Sequence, residues 1–274
     1  MPRERVLIAV KTYPTLSRTH IELVCTAGVR EDGSWVRIYP VPFRLMDPAQ
    51  RFKKWTWVDL DLRRRERDRR PESYSPRNRD DIRIGRHIPA GERGWRDRRR
   101  HILDHGRVWT DLDEIIRLAR ANEISLATFR PTRMLGMEFR ASAPDWDARQ
   151  LARAEEQMRQ GALPGDAPTW ERFRLARKVP YDFFYRFSDE HGRTTRLRIL
   201  DWELGMLYWR SLKSAGGDPQ EAIAMVRGVY ETRFFQCDLH FSLGTTYEWH
   251  QRSPNPWVIV GVFPPPPIHQ PELF

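Results

Sequence analysis

Cysteine is nearly absent from this chain: Cys25 and Cys237 are the only two among 274 residues. Two thiols so far apart make neither a disulfide framework nor a Cys-x-x-Cys metal set, and they suit a reducing compartment. Long apolar runs are missing too. None approaches the ~20 residues that cross a bilayer as a helix. The five apolar residues between Arg5 and Lys11 are too few for a secretory signal. These absences lead us to expect a soluble, cytoplasmic protein with no membrane partner. Internal repeats and low-complexity tracts are also lacking, apart from the short proline run 264–267.

What is present is a globular composition with a strong charge bias. Hydrophobic residues make up 40% and aromatics 12%, with 11 tryptophans, enough for one large core or two small ones. The net charge is +10 and the isoelectric point about 10.0. Almost all of the positive charge is arginine, whose planar fork matches phosphate and stacks on bases. Nucleic acid is therefore the leading partner, DNA or RNA, with anionic membrane surface behind it.

Along the chain, short strands come first. Val6–Val10 is fully apolar. Residues 20–29 and 34–39 flank Asp32-Gly33, a hairpin signal. Residues 55–62 alternate, with Trp55, Trp57, Asp59 and Asp61 opposite Thr56, Val58, Leu60 and Leu62. This density of strands indicates a small curled sheet or barrel. Residues 63–100 carry fifteen arginines against seven acids. Within them, 66–80 have no apolar period and read as an inserted loop, while 94–105 read as a basic helix. A helix opened by Thr110 follows, then strands at 125–129 and 135–139 and a polar helix over 145–160. The Gly- and Pro-rich 161–169 is the clearest linker signal. Beyond it lie strands at 181–187 and 194–199 and a helix capped by Asp201. A second helix starts at Asp218-Pro219, and strands follow at 239–243 and 257–263.

Two resemblances add to this. The run from Cys25 through Gly33-Ser-Trp35-Val-Arg37 to Pro40, with Phe52-Lys-Lys and the strand after it, resembles the opening of bacterial dual-OB-domain proteins. Ser125-Leu-Ala-Thr-Phe-Arg130-Pro131 is similar to a strand those proteins carry further along. The resemblance implies OB-like barrels, which often bind single strands. Separately, Asp201-Trp-Glu203, Asp238-Leu-His240-Phe-Ser-Leu-Gly244-Thr and Asn255-Pro-Trp257 resemble the ending of an uncharacterised prokaryotic family. Its members carry a Cys- and His-containing hairpin before the Asp-Trp-Glu stretch. Here that hairpin has only His191, so no zinc site is expected, and this second resemblance implies no activity.

The candidate residues fall into three groups. A phosphate-gripping arm would use Arg63, Arg64, Arg65, Arg67, Arg69, Arg70, Arg77, Arg79, Arg96, Arg98, Arg99 and Arg100, with Trp95 among them. The alternative is a solvated charge run partly paired with Glu66, Asp68 and Asp97. Stacking surface would come from the barrel face (Trp35, Arg37, Tyr39, Trp55, Trp57) and from the polar-aromatic loop holding Tyr247, Trp249, His250 and Arg252. Alternatively, those aromatics are core. Asp201 and Glu203, joined by Asp238 or His240, could hold Mg or Mn in a nuclease. Against that, Asp201 sits at a cap position and Glu203 in a first turn, where a carboxylate offsets the helix dipole. Cys237 and His240 point to opposite strand faces and make no metal pair.

Together these observations predict an α+β protein. Residues 1–160 would be an OB-like basic domain with an Arg-rich insertion at 63–100, 161–172 a linker, and 173–274 an α+β domain. The expected function is non-enzymatic nucleic-acid binding, as an accessory subunit of a bacterial nucleoprotein system such as phage defence, with other protein subunits as further partners. The alternatives are the metal-dependent nuclease and a protein–protein scaffold whose basic segment docks on an acidic partner.

Overall fold

The computed structural model describes residues 3–16, 21–41, 43–44, 46, 51–78, 82–161 and 174–267. Among these residues, two mixed β-sheets and five α-helices make it an α+β protein. Strand β1 (Glu4–Lys11) shows why the first sheet curls. Its Val6 and Ile8 join Val36, Ile38, Val58 and Leu60 on the concave side, while Leu7 and Ala9 pack with Trp55, Trp57 and Ile88 on the other. A strand buried on both faces has no polar side to alternate with, hence the unbroken VLIAV.

β2 (Thr15–Leu16) lies at the edge against β3 (Glu22–Val29), which pairs with β4 (Trp35–Val41) in the hairpin expected at Asp32-Gly33. Asp32 Oδ1 accepts from the Ser34 amide at 2.9 Å, and Gly33 adopts φ 83°, a conformation that favours glycine. β5 (Thr56–Leu60) and β6 (Leu62–Arg64) form one run interrupted at Asp61. The first half pairs with β1. The second pairs with β7 (Ser73–Pro76), which runs parallel to β4. With β8 (Arg83–His87) beyond β5, the strand order β6-β7-β4-β3-β1-β5-β8 returns to consecutive residues, so the sheet curls upon itself.

The inserted loop expected at 66–80 is therefore corrected: its residues 73–76 supply a strand of the sheet. Four residues with one aromatic, paired to a partner 36 positions away, leave no periodic trace in the sequence. The basic helix expected at 94–105 forms as α1 (Glu92–Arg99), continued by a wider π-helical turn over 100–104. Its Trp95 and Ile102 cover the outer face at Trp55 and Trp57.

The second sheet contains β9 (Val108–Trp109), β10 (Leu126–Phe129), β11 (Arg133–Ala141), β12 (Tyr181–Ser188), β13 (Thr194–Ile199), β14 (His240–Thr245) and β15 (Trp257–Phe263), in the order β11-β12-β13-β15-β14-β10-β9. Helices α2 (Leu112–Arg120), α4 (Trp202–Ser214) and α5 (Pro219–Arg227) cover it, burying Ile115, Tyr208 and Val226 against Phe183, Tyr185 and Phe241. The polar helix is α3 (Ala148–Gly161). Asp111, not Thr110, caps α2: its Oδ1 accepts from the amides of Asp113 and Glu114. Asp218 caps α5 in the same way, with Pro219 at its first position.

The sheets change over at residues 105–107. The stretch 161–172, where the sequence suggests a linker, separates β11 from β12, two neighbouring strands of one sheet; residues 162–172 lie outside the described ones.

Buried polar groups join the two sheets. Arg37 of β4, 4% exposed, donates to Ser73 Oγ at 3.1 Å, Ser125 Oγ at 2.8 Å and the Ser125 carbonyl at 3.0 Å. Glu72 accepts from the Ser125 amide at 2.9 Å, and Trp35 Nε1 donates to Thr128 Oγ1 at 3.2 Å. Phe263 packs on Trp55, ring centroids 5.1 Å apart. Arg37→Met keeps most of the stem but leaves these buried acceptors unmatched, so we expect a loss of about 3 kcal/mol. A urea titration would show it as a lower midpoint with an unchanged slope; an unchanged midpoint would remove the joint from the account.

Candidate functional site

The structure brings the arginine turn and the polar-aromatic loop together. Asp68 and Arg70 form a buried bidentate pair at 2.9 and 2.7 Å, which holds the Asp68 carboxyl down at about 2 despite its burial. Arg70 also donates to the Thr245 carbonyl at 2.6 Å, and the Tyr247 hydroxyl donates to the Arg67 carbonyl at 3.3 Å. Asn122 Nδ2 donates to the Arg69 carbonyl at 3.1 Å, leaving Asn122 Oδ1 to accept from His250 Nε2 at 2.8 Å. Burial, aided by the charges of Arg70 and Arg37, pushes His250 down to about 4, so at neutral pH its ring is the uncharged Nε2–H tautomer.

This framework fixes the loop and leaves its aromatics outside. Tyr247 is 67% exposed and Trp249 52%. Arg67, Arg69 and Arg252 are exposed around them, and among the described residues none of the three forms an ion pair. Arg70 lies over the Tyr247 ring, 5.9 Å from its centroid, and the exposed parts of both rings beside guanidinium groups without ion pairs form a surface that can stack bases and hold phosphates.

Other members of the expected set are elsewhere. Arg37, Arg70, Arg98, Trp55 and His250 are buried, and each has a structural task. Arg98 lies between the rings of Trp55 and Trp95, 4.7 and 5.0 Å from their centroids. Trp57 is also buried, meeting His101 edge-on. Arg65 stacks over Tyr39 at 4.4 Å, Arg64 over Tyr74 at 5.6 Å, and Arg77 pairs with Asp61 at 3.3 Å. Arg99 is bound to Asp238 at 2.7 Å. Arg63, Arg96 and Arg100 are exposed, Trp95 is half-buried, and Arg79 lies outside the described residues. The barrel face is thus not an open stacking platform. Its tryptophans serve α1 and the second sheet.

The carboxylate cluster is built differently from the sequence expectation. Asp201, 1% exposed, caps α4 by accepting from the Glu203 amide at 3.1 Å, and it also accepts from the Val262 amide at 3.0 Å. Lys54, 147 residues earlier, reaches both Asp201 (3.3 Å) and Glu203 (3.1 Å). Lys54 thus supplies between them the positive charge that a divalent ion would bring. Burial opposes the charge on Lys54, but Asp201 and Glu203 override it and raise the ammonium above its usual value. Lys54 in turn holds Glu203 below the usual carboxylate range, while burial pushes Asp201 up. Asp238 is held by Arg99 and Arg130, and buried His240 has Nδ1 2.8 Å from the Asp238 carbonyl. Among the described residues, the acidic and imidazole groups that converge within 4.8 Å are Asp111, Glu190 and His191, on the surface, not these four. The sequence signal for Lys54 is slight: Phe52-Lys-Lys precedes a strand, with nothing to indicate its distant partner.

Lys11 completes the cluster. Its ammonium sits 3.6 Å from the centre of the Phe43 ring and donates to the Phe52 carbonyl. Burial, then the charge of Lys54, lowers it to about 7, with Glu203 opposing. An unfolded Lys11 titrates near 10.5, so between these values the unfolded chain holds more protons and the native state gains stability as pH rises. Below about 7 both states are protonated and the gain disappears. The stability difference between wild type and Lys11→Met should rise between about pH 7 and 9, by at most ~1.4 kcal/mol per pH unit; a difference independent of pH would overturn this. Lys54→Met should cost about 3–5 kcal/mol by stranding Asp201, with part recovered in Lys54→Met/Asp201→Asn. Denaturant midpoints of the three proteins check it.

Residues 2–104 match a family described as a domain of unknown function, DUF8758, and residues 108–274 match another so described, DUF8757. No curated protein matches the chain in sequence. The two matched segments meet where the sheets change over, between 104 and 108, and the second spans more than half of the residues. The chain therefore belongs to the DUF8757 family.

Proposed function

We propose that the protein binds nucleic acid, with bases stacked on Tyr247 and Trp249 and phosphates held by Arg67, Arg69 and Arg252. The observation that carries this reading is the exposure of both rings beside guanidinium groups without ion pairs among the described residues. Tyr247 at 67% exposure and Trp249 at 52%, two residues apart on one loop, offer ring surface to a stacking partner. The net charge of +10 draws polyanions to the same molecule. The first sheet supports an OB-like reading. Its run 56–64 pairs with β1 at one end and with β7 at the other, the way a small barrel closes. OB-like barrels commonly take single strands, so single-stranded DNA or RNA is the preferred ligand. The role proposed is binding, in an accessory factor of a nucleoprotein assembly.

The test is fluorescence anisotropy with labelled single-stranded DNA and RNA across a salt series. Wild type should lose affinity steeply with salt, and Arg67→Gln/Arg69→Gln/Arg252→Gln should flatten the log–log slope by about 1 for each phosphate no longer neutralised. Tyr247→Ala/Trp249→Ala should weaken binding about tenfold or more, at about 1–3 kcal/mol per stacked base, while leaving the slope unchanged. A flat slope for wild type, or no binding at low salt, would overturn the proposal.

A further inference from the structure

A second surface is separate from the one above. Between the two sheets lies an open cleft of about 980 Å³, walled by the end of β1, the segment before β5 and α1 on one side, and by α4, the turn after α5 and the chain beyond β15 on the other. That volume is in the range of small-ligand sites. Its charge is one-sided. Lys11, Lys53, Lys54, Arg98, Arg210 and Arg233 line it, and the one carboxylate among the lining residues is Glu203.

Composition sharpens the point. The chain has only five lysines, and three of them line this cleft. Lys54 is committed to Asp201 and Glu203. Lys53, Arg210 and Arg233 are exposed, and their side chains form no ion pair among the described residues. Arg98 is 6% exposed and donates to the Ile88 carbonyl at 2.7 Å, while its buried Nε has no hydrogen-bond partner. A buried donor left unmatched is unfavourable unless a ligand or water meets it. Lys54 is balanced by Asp201 and Glu203 and Lys11 is lowered to about 7, so the uncompensated charge is that of Lys53, Arg98, Arg210 and Arg233, which an anion of high charge density would relieve.

We propose that this cleft binds a phosphate monoester or diphosphate, with Lys53, Arg210 and Arg233 as the groups that hold it. Guanidinium forks match phosphate oxygens two at a time, and the ammonium of Lys53 adds a point charge. The phosphate can come from a free nucleotide or from the 5′ end of a strand. Because both domains furnish ligand groups, the bound anion spans the junction between the sheets.

Isothermal calorimetry with ADP, with pyrophosphate and with a dinucleotide carrying either a 5′-phosphate or a 5′-hydroxyl tests this. Wild type should bind ADP and pyrophosphate. Arg210→Gln/Arg233→Gln, both surface positions, should weaken each about tenfold or more, the size expected for losing charge-assisted hydrogen bonds. Displacement of the 5′-phosphorylated dinucleotide by ADP, without binding of the 5′-hydroxyl form, would assign strand ends as well as free nucleotides to the cleft. ADP binding with the phosphorylated dinucleotide excluded would assign free nucleotides alone. Pyrophosphate has no base to stack on Tyr247 or Trp249, so its binding by wild type and its weakening in Arg210→Gln/Arg233→Gln separate this site from the proposed strand-binding surface. No binding of ADP or pyrophosphate by wild type, or unchanged affinity in Arg210→Gln/Arg233→Gln, would overturn the proposal.

Discussion

Asp201 is a carboxylate with almost no exposed surface and four simultaneous hydrogen-bonding duties. It accepts the Glu203 amide in the first turn of α4, the Val262 amide on β15, and the Lys54 ammonium on both of its oxygens. Those bonds come from three elements: α4, β15 and the turn before β5. A buried carboxylate is tolerated only when its lone pairs are satisfied and a counter-charge is near, so its ionised form requires that all three elements be in place together. The backbone at Thr12, which bridges to Asp201, and the Tyr13 amide, which donates to the Leu200 carbonyl at 2.8 Å, bring the end of β1 to the same point. Strand β1, helix α4 and strand β15 thus converge on one charged atom group.

Much of the local structure is legible in the sequence because local physics decides it. Asp32-Gly33 makes a hairpin, Asp218-Pro219 opens a helix, and Asp201 caps one, each within four residues of its hydrogen-bonding partner. The α+β class is read correctly for the same reason. What is hidden depends on distance. The parallel pairing of β4 with β7, the reach of Lys54 to Asp201 and the packing of Arg37 on Ser125 join residues 36, 147 and 88 positions apart. The arginines of 63–100 illustrate the limit. Arg69 and Arg70 are neighbours of identical type, yet one is exposed and the other is buried on Asp68 and Thr245. Composition gives both the same meaning, and only the turn geometry separates them. Tyr247 and Trp249 are visible as a polar-aromatic loop because no apolar periodicity claims them.

The motifs that suggest OB-like kinship have a physical role in this chain. Trp35 and Arg37 lie on β4, and Ser125 and Thr128 lie at β10; the first pair donates hydrogen bonds to the second. Both stretches therefore form one joint, where β4 of the curled sheet meets β10 of the second sheet. A guanidinium sealed into such a joint is drawn down to about 10 by burial and by neighbouring Arg70, still far above neutrality, so it stays charged. Its fork satisfies two hydroxyls and a carbonyl at once, which a lysine could not do with the same planarity.

The Lys54–Asp201 contact has one more consequence, which concerns charge balance. The lysine belongs to the segment matched by one family and the aspartate to the segment matched by the other. Neither segment is electrically closed by itself: one holds a buried cation whose counter-ion is across the boundary, and the other a buried anion in the same position. Electroneutrality of the interior is thus a property of the joined chain. Separating the halves would oblige each to hydrate or neutralise a group that it has no means of its own to compensate, so the two segments are expected to persist as a pair.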